Sequence, residues 1–373
     1  MDCPTIQELD FGEWGQEVLS RLQGRRYPLS GTFELTARCN LACVHCYINQ
    51  AAVSRAALAS ELTTLQVKAI LDQITAAGCL FLTLTGGEVL LRPDFPEIYR
   101  HARQRGMLVS LFTNGTLITP RIADLLAEVQ PRVVDITLYG ATQATYERVT
   151  GVPGSYARVH RGIELLRERG VPLALKTVVL TVNRHEFPAM RAFAEGLGVR
   201  FRYDGLLWPR LDRSQAPLEY QLPLQELVAV EFGDSSMQQE WARLADRFSG
   251  QRLRSENIYT CGIGQRSFHI DSAGQLSGCM GARRPAYDLL QMSFQAGWEK
   301  LGSLRQQERQ LETACRTCTL NDLCSQCPGW SQAVDGSDET PVEFLCELAH
   351  LHATEVQKFR ASKIILNEES INL

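Results

Sequence analysis

The chain has 373 residues, 45% of them hydrophobic, and a formal net charge of −4, which describes a globular protein with room for one large domain and a smaller one. The slightly negative charge and the lack of a Lys/Arg run argue against a nucleic-acid partner. No apolar run approaches the roughly 18–20 residues of a membrane span, and no signal-peptide pattern opens the chain, so we expect a cytoplasmic protein without a membrane partner.

The twelve cysteines of the chain are grouped. Cytosolic thiols stay reduced, so the cysteines do not indicate a disulfide framework. Cys3 and Cys79 stand alone, and Cys79 is expected to be a buried small hydrophobic residue. The other ten form two zones, a distribution typical of metal sites. These zones hold Cys39, Cys43 and Cys46, and then Cys261, Cys279, Cys315, Cys318, Cys324, Cys327 and Cys346.

In chain order, residues 1–30 form an N-terminal extension with one short predicted helix at 14–22. From 31 to 206, apolar strands alternate with amphipathic helices, which predicts a parallel α/β sheet with right-handed crossovers. Six βα units predict a partial (β/α)6 TIM-like barrel, short of eight-stranded closure. The predicted strands are 32–36, 80–85, 108–113, 133–138, 173–180 and 199–206, and the predicted helices are 64–77, 94–105, 119–129, 155–169 and 186–197.

Three further segments follow the predicted barrel. Residues 207–255 form a connector, mostly helical over 226–248, that we expect to line a substrate cleft. Residues 256–350 form a small Cys-rich domain with strands at 267–270 and 275–279, expected to be held by metal more than by apolar burial. Residues 351–373 form a C-terminal helix and a tail that frays after about 362.

The barrel architecture predicts where ligands bind. In parallel α/β folds, ligands bind at the carboxyl ends of the strands. Four loops of unusual glycine or polar content follow the first four strands and should meet there. These loops are 39–46, 85–88, 113–115 and 139–140.

The first of these loops, Cys39-Asn-Leu-Ala-Cys43-Val-His-Cys46, offers three thiolates to one corner of an iron–sulfur cubane and leaves one iron open. A zinc loop or buried structural thiols are the alternatives. The spacing CxxxCxxC resembles that of the radical S-adenosylmethionine (radical SAM) superfamily. The resemblance implies a [4Fe–4S] cluster that binds S-adenosylmethionine and yields a 5′-deoxyadenosyl radical.

The same resemblance extends to the loop after the second strand. Gly86, Gly87 and Glu88 match the family's GGE-P motif, with Val89 in place of the usual Pro. The motif implies contacts to the methionine amino group, whereas Gly-Gly by itself also fits a tight turn.

Further cofactor contacts are implied less directly. Asn114 and Thr137 occupy positions that touch the ribose or methionine groups in similar enzymes, although both also fit strand-end capping. Relatives place an Arg after the Gly140 turn to hold the carboxylate, and here either Arg148 or Lys176 could do so.

The C-terminal cysteines resemble the SPASM domain of radical SAM maturases, which holds two auxiliary Fe–S clusters. The Cys324-x2-Cys327 spacing departs from that pattern, in which a three-residue gap is commoner, and two zinc sites are the alternative. Cys3 is a speculative extra ligand for the second set. The resemblance implies one set of Cys315, Cys318, Cys324 and Cys346, and a second set of Cys261, Cys279 and Cys327, which has an open position or a ligand from elsewhere.

These features together predict a radical SAM maturase that abstracts hydrogen from a ribosomally made precursor peptide, to form a crosslink, excise a fragment or oxidise a side chain. The segments 138–142 and 149–154 also resemble haem-branch tetrapyrrole-modifying enzymes, which is the first alternative. A formylglycine-type sulfatase maturase and a non-catalytic Fe–S or zinc scaffold are the others. The residues weighed as substrate-facing or ligating are Tyr203, Asp204, Trp208, Arg210 and His269.

The expected partners follow from this function. The first thirty residues are too few for a leader-binding module, so we expect a separate leader-recognition protein or recognition by 207–255. An electron donor such as flavodoxin or ferredoxin is also expected.

Overall fold

The computed structural model describes residues 17, 20–22, 24–48, 50–248, 256–320 and 323–371. A nine-stranded sheet organises them, in the order β11-β10-β9-β1-β4-β5-β6-β7-β8, and β2 pairs with β3 separately. The strands are β1 Ser30–Thr36, β2 Arg38–Cys39, β3 Gln50–Ala51, β4 Phe81–Gly86, β5 Leu108–Thr113, β6 Val133–Thr137, β7 Leu173–Val178, β8 Arg200–Asp204, β9 Ser267–Ile270, β10 Gln275–Ser277 and β11 Tyr287–Asp288.

Twelve α-helices are found in the described ranges, and none of them combines the length and apolar character needed to cross a lipid bilayer. They are α1 Arg55–Ser60, α2 Thr64–Ala76, α3 Phe95–Gln104, α4 Pro120–Glu128, α5 Gln143–Thr150, α6 Ser155–Glu168, α7 Phe187–Gly196, α8 Leu224–Glu231, α9 Ser235–Phe248, α10 Phe294–Gly302, α11 Pro328–Val334 and α12 Glu343–Ile371.

Helix boundaries follow local capping chemistry. Thr63 and Gln66 form a capping box at the start of α2. Pro120 occupies the first turn of α4, whose N-cap is Thr119, and Gly151 ends α5 with φ 68°. The six predicted strands and five predicted helices of the barrel are all present, with ends within two residues of the prediction. The capping signals account for the helix ends. The additional helices α1 and α5 were not predicted.

The two faces of the barrel sheet differ in chemistry. Strand register places Glu34 beside Thr85, and Thr137 beside Lys176, on one polar face. The opposite face carries the buried apolar side chains under the helices, such as Leu84. The strands expected to be apolar therefore carry polar residues on one face, although the parallel sheet that they predicted is present. The open barrel keeps its inner face for ligands, so those positions need not pack as a core.

The strands of the Cys-rich region extend the barrel sheet. β9 pairs in parallel with β1, and Phe268, Tyr259 and Trp298 are buried in the same core as the barrel. The expectation that metal, more than apolar burial, holds this region is wrong for 258–304, because that segment shares the barrel's core.

The C-terminal helix begins at Glu343, ahead of the predicted boundary at 351, and continues to Ile371, where a frayed tail was expected. It packs against both connector helices, α8 and α9. Its His352 ring contacts the Glu231 carboxylate at 2.6 Å. The connector is therefore attached to the C-terminal region. The helix predicted at 14–22 falls largely outside the described residues, as does Cys3.

Candidate active site

The cysteine loop leaves the carboxyl end of β1 and is fixed at its entrance by a buried ion pair. Arg38 Nε donates to Glu61 at 2.7 Å, and its terminal nitrogen donates to the same carboxylate at 3.0 Å. Thr36 also hydrogen-bonds to Glu61. Both charged side chains are largely buried, so the bidentate geometry holds Arg38, and with it Cys39, in one position.

The Gly86-Gly87 pair packs directly on this entrance. A Cβ on Gly86 would lie 2.1 Å from the Thr36 carbonyl oxygen, and one on Gly87 would lie 2.2 Å from that of Arg38. Gly86 also has φ 138°, which L side chains rarely adopt. The Gly87 amide donates to the Thr36 carbonyl at 2.8 Å. The glycines thus let the second loop lie against the cysteine loop.

Glu88 is fully buried at the end of β4 and binds protein donors. Its carboxylate accepts hydrogen bonds from the Thr113 hydroxyl at 2.8 Å, the Asn114 amide at 2.7 Å and the Leu90 amide at 3.0 Å. Burial raises the pKa of Glu88, and these hydrogen bonds oppose the rise. Glu88 therefore ties the ends of β4 and β5 together, a positioning role that the motif alone did not reveal.

Asn114 links β5 to the cysteine loop. Its side-chain amide donates to Asn40 Oδ1 at 2.9 Å and approaches Cys39 Sγ at 3.7 Å. Asn40 Nδ2 donates to the Thr116 hydroxyl at 2.8 Å, and that hydroxyl donates to Asn114 Oδ1 at 2.6 Å. Asn40 and Thr116 are site residues that the sequence reasoning missed. The position of Asn40 directly after Cys39 was the available signal.

The three thiols of the loop suit a cationic cluster. Burial raises the pKa of Cys39 to about 12, and the nearby Glu88 carboxylate and Cys46 raise it further. Burial likewise raises the pKa of Cys43, together with the charges of Cys46 and Cys39. The Leu41 amide points at Cys39 Sγ at 3.4 Å. A buried set of mutually repelling thiolates needs a bound cation, so the residues fit an iron–sulfur cluster.

The two cations predicted as alternatives for the cofactor carboxylate, Lys176 and Arg148, differ in burial. Lys176 lies beside Thr137 on the polar face, with its ammonium 3.2 Å from the centroid of the Phe112 ring. Burial lowers the pKa of Lys176 to about 7. Arg148 lies in the last turn of α5 with an exposed side chain. The sequence left these two cations as alternatives, and only Lys176 lies on the inner face.

Charge effects among the C-terminal thiols run within two groups. Burial raises the pKa of Cys327, and the charges of Cys279 and Cys261 add to the rise. Burial also raises the pKa of Cys324, with contributions from Cys346, Cys315 and Cys318. Thiols that influence one another in this way lie close together.

Backbone amides also point at these sulfurs. The Leu320 and Gln326 amides approach Cys318 Sγ and Cys324 Sγ at 3.4 Å, as the Leu41 amide approaches Cys39 Sγ. Such N–H···S contacts stabilise thiolate ligands of clusters. In the described ranges, no three His, Cys, Asp or Glu side chains converge on a point suited to a single metal ion.

A cavity of about 570 Å³ is lined by Cys279 and Cys327 and by Tyr47, the residue after Cys46. The Tyr47 hydroxyl lies 3.7 Å from Met280 Sδ, so Tyr47 contacts the segment that carries Cys279. The Leu211 amide donates to the Tyr47 carbonyl at 3.0 Å, which fixes the connector to the cysteine loop. The cavity therefore borders two thiols of the second set and the residue that follows the first cysteine loop.

The residues weighed as substrate-facing fall into two places. Trp208 and Arg210 line the 570 Å³ cavity, whereas Tyr203 and Asp204 line a separate cavity of about 670 Å³ beside α9. His269 is buried on β9, with its Nε2 3.8 Å from the Glu34 carboxylate. Burial lowers the pKa of His269 well below its usual value, so the ring is neutral.

Comparison with known proteins agrees with this geometry. The Radical SAM superfamily profile matches residues 33–194. An AdoMet-dependent heme synthase of Methanosarcina barkeri is 30% identical over 82% of this chain and 92% of its own length. The chain belongs to the radical SAM superfamily. It is accordingly a radical SAM enzyme, and this superfamily uses a [4Fe–4S] cluster and S-adenosylmethionine.

Peptide-modifying radical SAM proteins are also similar. The mycofactocin maturase MftC of Mycobacterium ulcerans is 31% identical over 80% of this chain and 82% of its own. The PqqA peptide cyclase of Xanthomonas euvesicatoria is 30% identical over 68% of each chain.

Among solved structures, Streptococcus suis SuiB bound to S-adenosylmethionine superposes with a TM-score of 0.66, at 16% identity over 93% of this chain and 83% of that one. SuiB bound to its precursor peptide SuiA gives a TM-score of 0.64, at 16% identity over 87% and 78%. These likenesses show the fold: a partial radical SAM barrel followed by a Cys-rich region.

Proposed function

We propose that this radical SAM enzyme is a peptide maturase that abstracts hydrogen from a ribosomally made precursor. The observation that carries the proposal is the 570 Å³ cavity lined by Tyr47, next to Cys46, and by Cys279 and Cys327. A substrate there would be close to the end of the loop that holds the radical source and to an auxiliary cluster that can accept an electron. MftC and PqqA peptide cyclase support a peptide as that substrate.

The residues of the chain would bind and orient the reactants. Cys39, Cys43 and Cys46 would hold the first cluster, which with S-adenosylmethionine supplies a 5′-deoxyadenosyl radical. Asn114 keeps the loop against β5, and Lys176 is placed to meet a carboxylate from the inner face. Gly86 and Gly87 would meet the methionine ammonium group through their carbonyl oxygens, because an ammonium group donates hydrogen bonds and needs acceptors.

The auxiliary thiols would hold two further clusters. Cys315, Cys318, Cys324 and Cys346 supply four ligands, and Cys261, Cys279 and Cys327 supply three. The mutual pKa effects within each set support this division. A separate leader-recognition protein, a flavodoxin or ferredoxin donor and a cytoplasmic location remain predictions.

A tetrapyrrole modification is the second candidate. The heme synthase of M. barkeri matches over 82% of this chain, close to the 80% of MftC. A cavity of about 570 Å³ is also within the range of sites that take small molecules and cofactors. Candidate substrates of both kinds therefore belong in the same assay.

Turnover tests the proposal. The anaerobically reconstituted chain, S-adenosylmethionine and dithionite are incubated with a candidate precursor peptide deuterated at its side chains. Peptide-dependent 5′-deoxyadenosine that carries deuterium, with a matching mass change in the peptide, is expected. Deuterium transfer from a tetrapyrrole instead would replace the proposal by the second candidate, and 5′-deoxyadenosine absent under every condition would favour a scaffold.

Cluster content is tested separately by iron, sulfide and zinc analysis. Three four-iron clusters predict roughly twelve irons per chain, falling to about eight when Cys39, Cys43 and Cys46 are replaced by Ala. Cys79→Ala is the matched control, because this thiol is buried beside the Phe81 carbonyl and should leave the iron count unchanged. About four irons plus zinc in the wild type would remove the auxiliary clusters.

A further inference from the structure

The 570 Å³ cavity is strongly basic. Four arginines, Arg210, Arg213, Arg283 and Arg284, line it, and none of the described residues that line it is an Asp or Glu. Such an imbalance is unusual inside a chain whose formal net charge is −4. A cavity lined by one sign of charge attracts the opposite sign, because its low-dielectric walls focus the field.

Among the residues that the structure describes, Arg283 is the one of these four arginines that pairs with a carboxylate. Arg283 donates to both oxygens of Glu34, at 2.6 and 3.1 Å, and these charges raise its pKa despite burial. Within the described part of the chain, no ion pair is formed by Arg210, Arg213 or Arg284. Three positive charges are therefore available to an occupant of the cavity.

Arg210 is the most informative of the three. Its Nε is buried and has no hydrogen-bond partner among the described residues. A buried donor left without an acceptor destabilises the chain unless a ligand supplies one. The Arg210 backbone is held in a turn in which the Arg213 amide donates to its carbonyl at 2.8 Å. The guanidinium is thus carried by a fixed backbone while its donor lacks an acceptor.

Of the other two arginines, Arg213 lies on the same turn as Arg210, and Arg284 belongs to the Cys-rich region. Arg284 donates to the Gly336 carbonyl at 2.9 Å, and its amide donates to the Gln332 side chain at 3.1 Å. A Cβ on Gly336 would lie 2.6 Å from the Arg213 guanidinium, so the two arginines approach the same turn. The charges of the connector and of the Cys-rich region therefore converge.

Much of the remaining lining is apolar. Trp208 stacks on Trp330, with ring centroids 3.9 Å apart and planes 13° from parallel. The Trp208 ring also packs on Gly281, where a Cβ would lie 2.7 Å from it. Leu211 and Met280 complete this wall and are themselves partly exposed. The cavity combines a flat apolar surface with basic groups.

We propose that this cavity binds a carboxylate of the substrate, with Arg210 as the principal donor, Arg213 and Arg284 as supporting charges, and the apolar part of the substrate against Trp208. The inference rests on the proposed function in placing substrate here. The carboxylate could come from an acidic peptide side chain or from a tetrapyrrole propionate. The two sources share this chemistry and are separated by experiment.

Binding is measured by anaerobic calorimetry on the reconstituted full chain with two matched pairs of probes. The first pair is a short Gly/Ala peptide with one central Glu and the same peptide with Gln. The second pair is coproporphyrin III and its tetramethyl ester. Arg210→Gln and Arg284→Gln are compared with Arg121→Gln. Arg121 is an exposed arginine on α4 that does not line the cavity. Arg210→Lys tests whether a charge without the planar fork suffices.

The expected result is that at least one carboxylate probe binds more tightly than its neutral partner, and that Arg210→Gln weakens this probe roughly ten- to a hundredfold. Arg210→Lys should lose less, and Arg121→Gln should lose nothing. If only the porphyrin shows this dependence, the carboxylate site stands and the peptide substrate falls. If both peptides bind alike and Arg210→Gln changes nothing, the site is overturned while the peptide function survives. If no carboxylate probe binds the wild type, the site is also overturned.

Discussion

The two cysteine zones are built in different ways. The first loop is fixed by protein contacts on several sides: the Ala42 and Val44 amides donate to the end of α5 at 2.9 and 3.0 Å, and Arg38 pairs with buried Glu61. By contrast, the described chain between Gln306 and Pro328 contains no strand or α-helix, but one short 3-10 helix at Ala314–Arg316, an isolated bridge at Glu308 and a few turns. The comparison indicates a preformed site for the first cluster and a segment that depends on its metal for the other.

Iron removal should show the largest contrast between the zones. Chelation of the reconstituted protein is expected to speed amide hydrogen exchange over 311–320 and 323–327 by roughly a hundredfold, because metal binding there supplies the ordering energy. Exchange over β1 and β4 should change little. Mass spectrometry of exchanged peptides measures both.

The control for that experiment changes ligands and needs no chelator. A Cys315→Ser/Cys318→Ser variant should lose protection over the same segment while the first cluster keeps its irons. Equal loss of protection in both zones after chelation would contradict the distinction between them.

Gly86→Ala tests whether protein contacts preform the first cysteine loop. The new methyl group would lie 2.1 Å from the Thr36 carbonyl oxygen at φ 138°, so we expect a loss of about 2–4 kcal/mol in the free energy of unfolding. Iron retention at the first cluster should fall with it. Denaturant unfolding of the apoprotein measures the free energy.

Gly106→Ala is the matched control for Gly86. Gly106 also has a positive φ, 86°, but a Cβ there would meet no atom within 4 Å. Its cost should be about 1 kcal/mol, from backbone strain alone. A similar loss in both variants would mean that strain, rather than contact with the cysteine loop, makes Gly86 necessary.

The Asn40–Asn114 contact should contribute less. Asn114→Ala removes the 2.9 Å hydrogen bond to Asn40 and leaves Thr116 without one acceptor, at a cost of about 1–2 kcal/mol. Asn40→Ala should cost a similar amount. Because the two changes remove one shared interaction, the double variant should lose less than the sum of the single losses. Additive losses would show that the side chains act independently.

Local signals made much of the fold, and the place of the first cysteine loop after β1, predictable. Capping at Thr63 and Gly151, and thiol spacing at Cys39, are readable within a few residues of sequence. The Glu34–Arg283 pair could not be predicted, because it joins residues 249 positions apart whose side chains meet only after β9 docks on β1. The arginine-lined 570 Å³ cavity could not be predicted for the same reason, although Trp208 and Arg210 had been weighed as substrate-facing.

Lys176 gives the most specific effect, through pH. Its pKa is lowered by burial to about 7 from an ordinary value of 10.5, so the native state binds fewer protons than the unfolded state between these pH values. Stability must therefore rise with pH across that window. Below about pH 7 the ammonium is charged in both states, and the destabilisation is then constant. Lys176→Met removes the titration, so the difference in unfolding free energy, wild type minus variant, should increase from pH 7 to pH 9 in the apoprotein. A difference that stays flat or falls would show that Lys176 is charged on the inner face at neutral pH, with a counter-charge already supplied by the protein.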